Sequence, residues 1–151
     1  MNIVTRDHLL GFISALFIFL FAYTAINKII DHDRFVIVLG KSSYLSSLSV
    51  MISWMVPFLE LLAVILLLIP GFRRAGLVLS LALMAAFTLY ITLMLLFESH
   101  LPCSCGGVIS KMSWQQHLWF NIFFLLLAGA GLWIHDPKRF VATNRPSRKP
   151  V

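Results

Sequence analysis

Four long apolar segments, each able to cross a lipid bilayer, constrain the fold of this chain more than any other feature. They cover Leu9–Ile26, about Leu48–Ile69, Ala75–Phe97 and Leu118–Ile134. An α-helix rises about 1.5 Å per residue, so segments of this length span a hydrocarbon core about 30 Å thick. The first and last are short and need a further turn from flanking residues. The sequence therefore predicts an all-α integral membrane protein built as a four-helix bundle.

The composition supports a membrane protein and argues against a nucleic-acid partner. Hydrophobic residues make up 60% of the 151 residues and charged residues only 12%, which is too apolar for a soluble domain of this size. The formal net charge is +6. The basic residues, however, flank the apolar segments, as orientation signals of membrane helices do. We therefore expect contact with the lipid bilayer and no nucleic acid.

The distribution of lysine and arginine predicts the orientation of the bundle. One side would carry Arg6, Arg73, Arg74, Lys138, Arg139, Arg145, Arg148 and Lys149. The other side would carry Lys28, Arg34, Lys41 and Lys111. Because the cytoplasmic side carries the larger number, we expect both termini to be cytoplasmic. The long loops 27–47 and 98–117 would then face the periplasm from a bacterial inner membrane.

Two further segments complete the predicted organisation. In the first outer loop, Phe35, Val38 and Leu39 predict a short amphipathic helix that lies along the interface or caps the bundle. The C-terminal stretch "DPKRFVATNRPSRKPV" is basic and broken by prolines, which is typical of a disordered segment near anionic lipid. We therefore expect a membrane domain over residues 1–136 and a cytoplasmic tail over residues 137–151.

The only two cysteines, Cys103 and Cys105, lie in the second outer loop, in "HLPCSCGGVISKMSWQQH". Three interpretations are open. The cysteines could be a redox pair, they could be half of a metal site, or they could be structurally inert, either as free thiols or as a static bridge. His100 and His117 do not give the usual zinc-ligand spacing, so we expect no metal. An oxidising compartment permits a disulfide. The small ring that a Cys103–Cys105 disulfide closes would stabilise the fold little, because the stabilisation from loop closure grows with loop length. We favour the redox pair.

The residues after the cysteines favour a reactive thiolate. "SWQQ" is typical of a capping box, with Ser113 as N-cap and Gln116 three residues later. A helix N-terminus with its partial positive charge would then lie at the end of the cysteine loop, where it stabilises thiolates. His117, one turn into the span, can transfer protons. We expect Cys103 to attack, Cys105 to resolve the mixed disulfide and His117 to carry the proton.

Glu60 lies about twelve residues into the second apolar segment. A charge near mid-membrane costs roughly 2.5–3.5 kcal/mol on insertion scales, so this carboxyl should be protonated or hydrogen-bonded. We favour a supporting structural role, because about 18 Å of helix separates it from the cysteine loop. The polar side chains expected to hold it are Tyr23, Tyr90 and Thr92. A proton or ligand site in a transporter is the other interpretation. Asn121 and Gln116 should line a pocket near the outer face.

These features together resemble the MauE/DoxX-like redox-associated membrane proteins. The resemblance covers roughly residues 8–135. Pro57 and Glu60 in "MVPFLELLAVILLLIPGFRRAG", the cysteine-bearing loop and the pattern W-x-x-H-L-x-F-N carry it. It implies a four-helix scaffold linked to periplasmic thiol–disulfide traffic, beside a thioredoxin-like partner or another thiol client. We expect no cofactor.

The sequence therefore predicts a membrane thiol–disulfide exchange protein, which would make it a thiol:disulfide oxidoreductase. The Cys103/Cys105 pair would cycle between dithiol and disulfide. The alternative is a non-catalytic assembly or chaperone subunit that holds a periplasmic redox enzyme, with the two cysteines as a static clip.

Overall fold

The computed structural model describes residues 3–41, 46–97 and 113–135. These residues form α1 (Ile3–Ile30), α2 (His32–Gly40), α3 (Ser49–Leu68), α4 (Arg73–Phe97) and α5 (Trp114–His135), with 3-10 turns at Ser46–Leu48 and Pro70–Phe72. The predicted cysteine loop, with Cys103 and Cys105, and the predicted tail lie outside the described residues.

The predicted all-α bundle with four membrane spans is confirmed. Four helical segments are long and apolar enough to cross a membrane: Val4–Ile30, Ser46–Leu68, Pro70–Phe97 and Trp114–His135. The first and last extend beyond the apolar segments from which they were predicted, as the thickness of a bilayer requires. The chain is therefore a multi-pass membrane protein whose spans carry their backbone hydrogen bonds internally.

The four long helices close into a ring in which sequence neighbours pack together. α1 contacts α3, α3 contacts α4, α4 contacts α5, and α5 returns to α1. The Arg6 guanidinium donates a hydrogen bond of 3.1 Å to the carbonyl oxygen of His135, which joins the start of α1 to the end of α5. We call the half of the bundle that contains this contact the inner half, and the opposite half the outer half.

The inner half is filled by apolar side chains. The buried cluster comprises Leu10, Ile13, Phe17, Phe21, Ala63, Leu67, Leu77, Leu83, Met84, Phe124 and Ala128. The rings of Phe17 and Phe124 meet edge-on, with centroids 5.4 Å apart, a favourable arrangement for aromatic pairs. Gly76 lies against Leu67, so α4 approaches α3 closely at this level. These side chains therefore form the packed core of the inner half.

The predicted short helix in the first outer loop is α2, and it caps the outer half. Its side chains Val38 and Leu39 are buried against the bundle. His32 Nε2 lies 3.0 Å from Ser53 Oγ of α3, and the His32 ring packs on Trp54 with centroids 4.3 Å apart. These contacts fasten α2 to α3, so the cap has a fixed position above the outer half.

Candidate functional site

A pocket of about 470 Å³ occupies the outer half of the bundle, and all five described helices line it. Most of its wall is aliphatic or aromatic. Its polar and charged lining residues are Tyr23, Thr24, Asn27, Lys28, Asp31, Arg34, Glu60, Tyr90, His117 and Asn121. Polar groups at the level of a membrane span usually face a cavity or the bundle interior and mark functional sites. This pocket is therefore the candidate functional site in the described part of the chain.

Glu60 is 1% exposed and is held by two side chains of α1. Its Oε1 accepts hydrogen bonds from Lys28 Nζ at 2.8 Å and from Thr24 Oγ1 at 3.1 Å. Its Oε2 accepts from the same ammonium at 3.2 Å. An unpaired charge at this depth would be costly, so the pairing is what allows a carboxylate to lie inside the span. The pair also fastens α1 to α3 at the floor of the pocket.

Lys28 reaches Glu60 because helix geometry directs its side chain into the bundle. Side chains tilt toward the N-terminus of their own helix, so Lys28 extends back along α1 and lies 3.4 Å from the carbonyl oxygen of Thr24. The ring centroids of Phe35 and Phe87 lie 5.9 and 5.7 Å from its Nζ, within the range of cation–π contacts. One ammonium group thus contacts side chains of α2, α3 and α4.

The start of α5 carries the predicted capping box. The backbone N–H of Ser113 donates to Gln116 Oε1 at 2.9 Å, and the N–H of Gln116 donates to Ser113 Oγ at 3.2 Å. Both side chains therefore satisfy backbone donors that a helix N-terminus leaves open. His117 lies one turn further along and lines the pocket. Lys28 lines the same pocket.

Asn121 lies one turn below His117 on the same face of α5, since residues four apart share a face of a helix. Its side chain lines the pocket and is 3% exposed. Among the described residues, no hydrogen-bond acceptor lies within reach of its Nδ2. A buried amide donor without a partner is unusual in a native protein, so the pocket holds one strong and unused hydrogen-bond donor.

The family model described as methylamine utilisation protein MauE matches residues 6–134. The chain belongs to the MauE family. The match spans the four membrane helices and the loop that contains Cys103 and Cys105. No curated protein and no solved structure gives a significant match to the chain. The resemblance to MauE-type proteins is therefore confirmed by a match over most of the chain.

The predicted site residues of this MauE-family protein fall into separate groups. Cys103 and Cys105 lie outside the described residues, so their roles stay predictions. Glu60 and His117 line one pocket, although the sequence argument separated Glu60 from the cysteine loop by its depth. Ser113 is exposed at the head of α5 and caps the helix.

Two predictions about polar contacts were wrong. Glu60 bonds to Thr24 and Lys28, and the predicted partners were other residues: Tyr23, Tyr90 and Thr92. Thr92 instead donates to a carbonyl oxygen of its own helix at 2.7 Å. Asn121 lines the pocket as predicted, but Gln116 does not, because its side chain is used in the capping box.

Sequence reasoning missed Lys28, which it counted as a loop charge that sets orientation. The structure places Lys28 inside α1, with 22% of its side chain exposed. The available signal was its spacing from Thr24, since a residue four positions earlier shares its face of the helix. Removing Lys28 from the outer count makes the lysine and arginine asymmetry larger, and the orientation stays a prediction.

The described residues offer no metal site. Within residues 3–41, 46–97 and 113–135, no three histidine, aspartate or glutamate side chains converge as metal ligands. The polar groups of the pocket instead include an ammonium–carboxylate pair, an imidazole and a buried amide. This set can transfer protons and form hydrogen bonds to an uncharged molecule.

Proposed function

We propose that this MauE-family protein is a membrane thiol–disulfide exchange protein that serves methylamine utilisation. Membership of a family described as methylamine utilisation protein MauE supports the physiological setting. The observation that carries the chemistry is the position of the only two cysteines in the chain. Cys103 and Cys105 lie between the end of α4 at Phe97 and the capped start of α5 at Ser113.

The proposed exchange conserves electrons and protons. The Cys103 thiolate attacks a disulfide of a thioredoxin-like periplasmic protein, forms a mixed disulfide and expels one partner thiolate. Cys105 then attacks Cys103, closes the Cys103–Cys105 disulfide and releases the partner as a dithiol. His117 carries protons between the thiols and the pocket. The partner is thereby reduced and the pair oxidised, and the reverse sequence oxidises the partner.

Three features of the described residues support this assignment. The capping box holds the first turn of α5 in place, so the positive end of that helix lies at the end of the cysteine loop. His117 is half-buried and lies one turn from Ser113. The four membrane helices form the scaffold that carries the loop. In this proposal the membrane domain covers residues 1–136, and residues 137–151 are a basic cytoplasmic tail.

The function is tested by trapping the mixed disulfide. Cys105→Ser removes the resolving thiol, so the Cys103-linked partner should accumulate and appear as a higher band on a non-reducing gel, released by dithiothreitol. Cys103→Ser is the matched control and should give no such band. If neither variant traps a partner, the protein is a non-catalytic assembly subunit and the two cysteines are a static clip.

The proposed periplasmic position of the cysteine loop is tested by chemical labelling. A membrane-impermeant maleimide, added after mild reduction, should label Cys103 and Cys105 in intact spheroplasts, because the inner half carries the larger basic charge. The double variant Cys103→Ser/Cys105→Ser removes every cysteine of the chain and supplies the blank. Labelling that requires cell lysis would reverse the orientation and place the two cysteines on the cytoplasmic side, away from the oxidising compartment.

A further inference from the structure

The buried amide of Asn121 is a hydrogen-bond donor that the described part of the protein does not use. Its side chain is 3% exposed, and no described residue accepts a hydrogen bond from its Nδ2. Leaving such a group unpaired costs about 1–3 kcal/mol. Asn121 lines a pocket of about 470 Å³, a size typical of small-molecule sites. We infer that the pocket binds a ligand whose oxygen atom accepts a hydrogen bond from Asn121.

The charges in the pocket call for a neutral ligand. Lys28 and Glu60 neutralise each other through a contact of 2.8 Å. The other two charged lining residues, Asp31 and Arg34, are again one of each sign. An ionic ligand would therefore meet a charge of its own sign, which repels it, as well as a charge of the opposite sign. An uncharged hydrogen-bond acceptor, such as a carbonyl oxygen, matches the free amide without disturbing the ion pair.

The walls of the pocket favour a planar ring. Aromatic side chains reach it from four helices: Tyr23 of α1, Phe35 of α2, Phe87 and Tyr90 of α4, and Trp114 and Phe120 of α5. Aromatic side chains pack against flat rings by offset stacking or edge contacts. A flexible acyl chain with an ester carbonyl would use the apolar volume but would make no ring-to-ring contact with these side chains.

The pocket also has an edge at the lipid-facing surface. Its lining residues Met55 of α3 and Leu89 of α4 are 44% and 60% exposed. Both helices are membrane spans, so these residues face hydrocarbon. A ligand dissolved in the bilayer can therefore reach the pocket between α3 and α4. Combined with neutrality, a ring and a carbonyl oxygen, this access identifies the ligand class as a membrane quinone.

The inference is independent of the proposed thiol chemistry, because it rests on described residues of the helices and neither cysteine is among them. The binding test uses the full chain in nanodiscs with decylubiquinone as the probe, read by tryptophan quenching and by the rise in unfolding temperature that a bound ligand causes. The Cys103→Ser/Cys105→Ser variant should bind the probe as the natural chain does. Loss of thiol exchange and loss of probe binding are thus separate results.

Removing the amide tests the role of Asn121. Asn121→Leu and Asn121→Ala should each raise the dissociation constant about tenfold, the effect of one lost hydrogen bond. Both variants remove the donor, but only leucine is large enough to block the pocket, so a shared effect is due to the lost donor. Gln115→Leu is the matched control, since Gln115 is exposed on the same helix and outside the lining. Without ligand, Asn121→Leu should be at least as stable as the natural protein.

Three outcomes would overturn the inference. Equal affinity of the natural chain and both Asn121 variants would mean that the amide does not meet the ligand. Methyl oleate, which has a carbonyl but no ring, should compete poorly, and equal competition would assign the pocket to lipid. Marked destabilisation of ligand-free Asn121→Leu would make Asn121 a structural residue.

Discussion

Replacing Lys28 by methionine should destabilise the protein by about 3–5 kcal/mol, the usual cost of leaving a buried charge without its partner. Glu60 is 1% exposed, so removing the ammonium leaves a buried carboxylate without its counter-charge. Glu60→Leu should cost less, because 22% of the Lys28 side chain is exposed and the ammonium can turn outward. The measurement is the free energy of unfolding in mixed micelles.

The double variant Lys28→Met/Glu60→Leu distinguishes the ion pair from general packing. Two apolar side chains of similar volume often replace a buried ion pair without loss, so the double variant should be more stable than Lys28→Met alone. Lys41→Met, at an exposed lysine beyond α2, is the matched control and should change stability by less than about 0.5 kcal/mol. Strictly additive losses in the double variant would contradict the ion-pair account.

Glu60→Gln separates the structural role of Glu60 from a proton-carrying role. The glutamine oxygen can still accept from Thr24 and Lys28, so the variant should fold and retain most thiol exchange. Loss of exchange in a folded Glu60→Gln protein would assign proton transfer to this carboxyl and favour the transporter interpretation.

Gly76→Val should destabilise the bundle by at least about 1–3 kcal/mol, the cost of overpacking a close contact. A Cβ at Gly76 would lie 2.8 Å from Leu67 Cγ and 2.9 Å from the Leu67 backbone nitrogen. A side chain can move aside, but the backbone of α3 cannot move without separating two spans. Helices in membranes use small residues at such contacts to pack closely.

Gly129→Ala is the control for this contact. A Cβ at Gly129 meets no heavy atom within 4 Å, so the alanine should be neutral or stabilise α5 by up to about 1 kcal/mol through helix propensity. Gly76→Ala should fall between the two, since the same propensity gain opposes the clash. If Gly76→Val unfolds at the same denaturant concentration as the natural protein, the helices are not in close contact at this level.

The bundle was predictable because the bilayer leaves few choices. A chain in hydrocarbon must satisfy its backbone groups within helices, so apolar length alone located the four spans. The helix α2 was also predictable, since Phe35, Val38 and Leu39 recur at a helical spacing. Two of them, Val38 and Leu39, are buried. The capping box at Ser113 was found because its two hydrogen bonds are local in sequence.

The pocket and its ion pair were not predictable in the same way. Hydropathy gives the depth of Glu60 but not the direction in which its side chain faces, and the direction depends on how α1 packs against α3. Lys28 and Glu60 are 32 residues apart, so no local pattern joins them. The free amide of Asn121 is likewise a property of packing, because only the positions of the neighbouring helices determine which donors find an acceptor.

Titration of the cysteine pair with glutathione shows whether Cys103 and Cys105 are a redox pair or a static bridge. The full chain in nanodiscs is equilibrated at a series of reduced-to-oxidised glutathione ratios, and free Cys103 and Cys105 are counted by maleimide mass shift. We expect a reversible transition with a potential well above about −300 mV, since structural bridges of secreted proteins have potentials below that value. A pair that remains oxidised in strongly reducing buffer, or that never closes, would contradict the redox-pair account.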